Sequence, residues 1–130
     1  MREDRDRLVQ AAREAVHRAY APYSRLRVGA AVLTSRGVIY SGVNVENASY
    51  GLTMCAERAA ICAAVTQEGP EMLLKALAVV SSQTGPCPPC GACRQVILEF
   101  GPDALVLFPG RDGLEEASIT RLLPAAFRLQ

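Results

Sequence analysis

In "MCAERAA", Cys55 stands two residues before Glu57, and in "PCPPCGACRQV" Cys87, Cys90 and Cys93 fall within seven residues. Thiolates bind zinc and other borderline-soft metals, and a carboxylate beside such a metal can move protons without ligating it. Cys90 and Cys93, one helical turn apart, form a clamp of the kind zinc prefers, and Cys55 supplies a third ligand. Three protein ligands leave one tetrahedral position open for water, which separates a catalytic zinc from a structural one. Glu57 is then the expected proton carrier. A zinc ion with three thiolates has a net charge of about −1, which opposes deprotonation of its water. Arg58 and Arg94, sequence neighbours of Glu57 and Cys93, are expected to donate hydrogen bonds to the sulfurs and withdraw part of that charge.

Cys87 makes a second Cys-x-x-Cys with Cys90, overlapping the first, and spacing alone does not choose between them. A closed structural site of Cys55, Cys87, Cys90 and Cys93 is one alternative. Most closed sites use two well-separated knuckles, however, and Glu57 would have no purpose in one. An iron-sulfur centre is another, because Cys87, Cys90 and Cys93 match the first three members of a ferredoxin run. Val96 and Ile97 occupy the place of its fourth cysteine.

Elements that position these residues can be read from periodicity. Leu8, Ala12, Ala15, Val16 and Ala19 form one apolar stripe, predicting an amphipathic helix over 3–20 that ends before Pro22. "RVGAAVLTSRGVIYSGV" predicts a hairpin with Ser35, Arg36 and Gly37 at its turn. The polar stretch 44–53 is a loop, and the Ala-rich run 55–68 a helix closed by Gly69 and Pro70. A buried strand at 74–82, a helix at 90–100, a strand at 104–110, a short strand at 114–118 and a last helical turn around "TRLLPAAF" complete the order. This succession predicts an α/β fold, three layers α/β/α around a mixed, roughly five-stranded sheet, in a single domain over 1–130. Both cysteine motifs sit where a loop enters a helix, at the end of the sheet where ligands collect.

Composition narrows the partners. Fourteen Lys and Arg against thirteen Asp and Glu give a formal charge of +1, with no basic stripe for a nucleic acid polymer. No apolar run approaches the roughly 20 residues of a membrane span, and the charged start "MREDRDRLVQ" does not read as a secretory signal. Five cysteines, an odd number gathered mainly in two clusters, suit a reducing, cytoplasmic setting better than a disulfide framework.

Cys-Ala-Glu followed by Pro-Cys-x-x-Cys resembles the three-cysteine form of the zinc nucleobase-deaminase signature. More closely, "AYAPYSRLRVGAAVL", "GVNVENASYG", "MCAERAA", "PCGACRQV" and "LLPAAF" are similar, in order and spacing, to the small homotetrameric cytidine deaminases over roughly residues 15–127. The resemblance implies that Cys55, Cys90 and Cys93 bind one zinc per chain. Glu57 would shuttle protons while C4 of cytidine or deoxycytidine exchanges its amine for oxygen, as in pyrimidine salvage. It further implies that Asn44 and Glu46 contact ribose hydroxyls and that backbone groups of Ala56 read the pyrimidine edge. Phe127 would reach into a neighbouring subunit's site, making the homotetramer necessary for catalysis. A blasticidin-type antibiotic deaminase shares the zinc motifs, but "NVEN" and "LLPAAF" favour the cytidine branch. Guanine, cytosine and nucleotide deaminases generally have histidine where Cys55 stands.

The remaining conspicuous residues have ordinary expectations. Cys62 reads as a buried small hydrophobe, His17 as a helix-surface residue and Cys87 as a bystander in a loop. Leu26 stands where the family usually places a Phe against the base. Leu26→Phe should therefore tighten nucleoside binding about 2- to 10-fold, the value of an aromatic contact. Titration of the two proteins with a non-hydrolysable cytidine analogue measures this, and equal affinities would show that the side chain does not face the base.

Overall fold

The computed structural model describes residues 2–129. In chain order its elements are α1 (Arg2–Ala15), β1 (Val28–Thr34), β2 (Ile39–Val43), α2 (Ala56–Glu68), β3 (Leu74–Ser81), α3 (Gly91–Phe100), β4 (Leu105–Gly110), β5 (Gly113–Ser118) and α4 (Ile119–Leu122). The strands form one five-stranded sheet in the order β2-β1-β3-β4-β5, in which only the β3–β4 pairing is parallel. The mixed sheet between helical layers is the expected architecture.

Alternation along β1 sorts the layers. Ala30 and Val32 join Leu77, Val79 and Val106 under α2 and α3, where Ala60, Ile61, Ala64 and Ile97 are packed. Ala31 and Leu33 join Ala76, Ala78 and Leu107 under α1, against Leu8, Val9, Ala12 and Val16. Six of the seven residues of β1 are buried, as a strand covered on both faces requires. The outer strand β5 has five of its six residues exposed.

Two helix placements depend on the absence of a side chain. A β-carbon on Gly42 would run into the α2 backbone, against Ala60 N and at 2.8 Å from Ala56 O. One on Gly29 would strike Ala12 O and the amide of Val16 at 2.8 Å. α2 therefore lies directly on β2, with its first turn fixed at Gly42. At its other end Glu68 Oε2 accepts hydrogen bonds from Thr34 Oγ1 at 2.9 Å and Tyr40 Oη at 3.0 Å, holding the helix to the β1–β2 hairpin.

The first helix stops earlier than its apolar stripe predicts. After Ala15 the chain tightens into a 3₁₀ turn, Val16–Arg18, and Ala19 is extended. Tyr20 donates to Asn44 O at 3.0 Å and accepts from Glu46 N at 2.9 Å, so the chain leaves the helix to pair with the loop beyond β2. The last helix is likewise only Ile119–Leu122, because Pro124 prevents continuation. Cys62 is exposed, contrary to expectation, since α2 turns Ala56, Glu57, Ala60, Ile61 and Ala64 inward. His17 lies on the surface.

Replacing Gly42 by Ala should lower stability by about 1–3 kcal/mol, the usual cost of forcing atoms into a packed contact. Urea unfolding midpoints measure it, and an unchanged midpoint would mean that α2 does not rest on β2 here.

Candidate metal centre and active site

Two helices on one side of the sheet, α2 and α3, are each preceded by a cysteine. Cys55 precedes α2 with extended backbone (φ −76°, ψ 148°), and Cys90 precedes α3 likewise (φ −69°, ψ 169°). Cys93 lies in the first turn of α3 and is buried. The sulfurs of these three residues lie within 4.8 Å of one another. Zinc–sulfur bonds of about 2.3 Å in a tetrahedron set sulfurs about 3.8 Å apart, so the group is of the right size and donor type for zinc.

The surroundings favour negative charge on sulfur. Helix first turns leave N–H groups without intrahelical acceptors, and two such turns meet here. Arg58 Nη2 donates to Cys55 Sγ at 3.2 Å, while its buried Nε has no hydrogen-bond partner among the described residues. The Cys55 thiol is pulled down to about 5, chiefly by the hydrogen bond from Cys93 and, against the cost of burial, by Arg58. Cys93 is pushed up because it donates to Cys55 and is itself buried. A divalent cation held among the sulfurs would favour their ionised form.

Glu57 is in the first turn of α2 and is buried. Burial pushes its carboxyl up to about 7, partly opposed by a backbone hydrogen bond and reinforced by the nearby Cys55 charge. Ala56, fully buried, precedes it at the helix start.

Arg94 takes a different position from the one expected. Its Nε donates to Pro89 O at 2.8 Å and its Nη1 to Leu122 O at 2.9 Å, so these donors hold backbone carbonyls rather than sulfurs. Successive helical residues point about 100° apart, and with Cys93 directed inward its neighbour is turned toward the C-terminal segment.

Cys87 lies outside the three-sulfur group. Its N–H donates to Pro109 O at 2.8 Å, and burial, followed by the Glu57 charge, raises its thiol pKa. No turn joins it to Cys90, for Pro88 and Pro89 lie between them. Prolines favour an extended backbone that spaces residues three apart by about 9 Å, whereas the helix brings Cys93 back toward Cys90.

Beyond the metal centre, Tyr23, Ser24, Glu46, Asn47, Tyr50 and Thr53 line a cleft of about 290 Å³. Glu46 accepts from the backbone N–H groups of Tyr23 at 2.9 Å and Ser24 at 3.1 Å, and from the Ser24 hydroxyl. These bonds, the Ser24 hydroxyl first, hold its carboxyl below the usual value. Asn44 is buried; its Oδ1 accepts from Val28 N at 2.8 Å and its Nδ2 donates to Leu26 O at 2.8 Å. Asn44 therefore braces the half-buried Leu26, which follows Arg25 in a left-handed conformation (φ 65°). Ser24 and the edge-to-face pair Tyr23 and Tyr50 carry no local signal of a site: Ser24 and Glu46 are 22 residues apart. Phe127 is 70% exposed and is not among the residues lining this cleft.

Residues 2–108 match the family model of the cytidine and deoxycytidylate deaminase zinc-binding region. The chain belongs to this deaminase family. It is 46% identical to a cytidine deaminase of Sporosarcina psychrophila over 126 residues, covering 95% of this chain and 91% of that protein. Among solved structures, a cytidine deaminase from Burkholderia pseudomallei superposes with a TM-score of 0.86 at 46% identity, covering 94% of this chain and 98% of that one. One from Mycobacterium tuberculosis gives 0.86 at 45% identity, with 97% and 98% covered. Membership of a zinc-binding deaminase family favours zinc over an iron-sulfur centre, and Cys87 stands apart from the three sulfurs that a closed four-cysteine site would need it to join.

Metal analysis distinguishes the two Cys-x-x-Cys pairs. Cys87→Ser should retain one zinc per chain, whereas Cys90→Ser should lose most of it; zinc lost from the Cys87 variant would show that the wrong pair was chosen.

Proposed function

We propose that this chain is a zinc-dependent cytidine and deoxycytidine deaminase, which converts these nucleosides and water into uridine or deoxyuridine and ammonia. One observation carries the reading: a buried carboxyl, Glu57, stands in the first turn of α2 beside three sulfurs that converge at two helix starts. The family match and the relatives' cytidine deaminase names support it.

Cys55, Cys90 and Cys93 would hold the zinc ion, which when bound would supply the Lewis acidity that makes water nucleophilic near neutral pH. Glu57 takes a proton from the attacking water and delivers it to N3 of the ring as C4 gains oxygen. It then takes the proton of the hydroxyl added at C4 and passes it to the amine, so that the C4–O bond becomes the carbonyl as the C4–N bond breaks and ammonia leaves. A carboxyl near pKa 7 is suited to both halves of this exchange, since it accepts and returns a proton at little cost. Arg58 offsets the charge of the sulfurs.

Glu46 and Asn44 are assigned to the sugar hydroxyls, Ala56 backbone groups to the pyrimidine edge and Leu26 to the apolar side of the base. A carboxylate at the sugar would repel a nearby phosphate, which favours the free nucleoside over a nucleotide or a polymer. A large apolar side chain as exposed as Phe127 fits a seat on another subunit, and we assign the enzyme to a homotetramer with shared sites. No described helix is long and apolar enough to cross a membrane, and the free thiols suit the cytoplasm.

Ultraviolet assays with cytidine, deoxycytidine, cytosine and CMP, run on the unaltered protein and Glu57→Gln, test the reading. The nucleosides should lose cytidine absorbance and CMP should not. Glu57→Gln should lower turnover by about 10²- to 10⁴-fold while keeping zinc and fold. Inert nucleosides with zinc bound, or an active Gln variant, would overturn it.

A further inference from the structure

Arg94 binds the chain on both sides of a metal ligand. Its side-chain Nε donates to Pro89 O at 2.8 Å, next to the Cys90 carbonyl that accepts the first helical N–H bond of α3, so the guanidinium holds the chain just before Cys90. Pro89 is fully buried, and its carbonyl without Arg94 would lose a charge-assisted hydrogen bond in a place poorly supplied with water. The same guanidinium reaches 28 residues onward to Leu122 O, at the end of α4. Its neighbour Gln95 then donates from Nε2 to Phe127 O at 3.1 Å. Between these two attachments Ala125 has φ 51°, a left-handed conformation that a residue with a β-carbon keeps only when its surroundings determine it.

We propose that Arg94, assisted by Gln95, is a positioning residue that fastens the segment carrying Phe127 to the loop carrying Cys90, so that metal retention and the order of the C-terminal segment depend on each other. The inference rests on the reading that Cys55, Cys90 and Cys93 hold zinc. A guanidinium suits the task because its planar fork presents several donors at fixed angles; a lysine ammonium is a point charge on a flexible stem and does not reproduce two directed bonds. If the metal orders Cys90, it also orders the Pro89 carbonyl and the guanidinium that Leu122 shares. Linkage requires the reverse effect of equal size: loosening the C-terminal segment must weaken the hold on the metal.

Two measurements on the full chain test this. The first is the rate at which a chromogenic chelator takes zinc from the unaltered protein, Arg94→Ala, Arg94→Lys and Gln95→Ala. Both Arg94 variants should release zinc about 10-fold faster, the lower end of losses seen when the partners of metal ligands are removed. Gln95→Ala should show a smaller acceleration, although it touches neither the sulfurs nor the Pro89 carbonyl. The second is amide hydrogen exchange of residues 123–129 in the unaltered protein with zinc bound and after its removal, which needs no variant to fold. Exchange there should accelerate several-fold on zinc removal. Unchanged release from Arg94→Ala, full rescue by lysine, or tail exchange indifferent to zinc would each overturn the proposal. An unaltered protein that binds no zinc would instead overturn the reading on which it rests.

Discussion

Three sulfurs gathered within 4.8 Å of one another at two helix starts set the main constraint on this molecule. Thiolates a few ångströms apart repel, and in a partly buried place water does little to screen them. The fold answers with positive potential from two directions, the first turns of α2 and α3, and with the guanidinium of Arg58. That arrangement requires the two helices to start side by side on the same face of the sheet. The β1 alternation provides the common face, and Gly42 lets α2 settle onto β2. The sulfur cluster and the packing of the core are thus one problem with one solution.

The same helix start gives Glu57 its character. A carboxyl in the first turn of a helix would ordinarily favour its ionised form. Here burial outweighs that tendency and Cys55 adds to the effect, pushing the carboxyl up to about 7. The Glu46 carboxylate has the opposite surroundings, with Ser24 and Tyr23 donating to it at an open cleft. The two carboxylates thus differ in kind: Glu57 is buried at the start of α2, and Glu46 accepts three hydrogen bonds at an open cleft.

What was legible in the sequence follows the range of the interactions concerned. Cys90 with Cys93 and Cys55 with Glu57 are local pairs at helix starts, but spacing alone left the Cys87–Cys90 pair equally open, and only the family resemblance preferred Cys90 with Cys93. The sheet was legible too, because β1 and β3 are long apolar runs between clear turns. Arg94 was misplaced because adjacency in sequence is not adjacency on a helix; its partner at Leu122 is a long-range contact with no local trace. Cys62 was misplaced for a related reason. In "AERAAICAAVTQE" apolar residues surround the helix almost completely, and only the tertiary structure selects the face through Ala60, Ile61 and Ala64. The early end of α1 escaped notice because a backbone pairing of Tyr20 with the 44–46 loop outcompetes helix continuation, and backbone pairing leaves no mark on side-chain periodicity.

The outer strand β5 has a bearing on how the molecule survives at high concentration. A strand at the rim of a sheet leaves a row of N–H and C=O groups that a strand from another molecule can extend. In β5 that row is only six residues long and carries Glu115 and Glu116, the latter paired with Arg5 of α1 at 3.2 Å. Two copies meeting rim to rim would bring carboxylates together along a short, weakly apolar ribbon. Stacking into fibrils through this edge is disfavoured by charge.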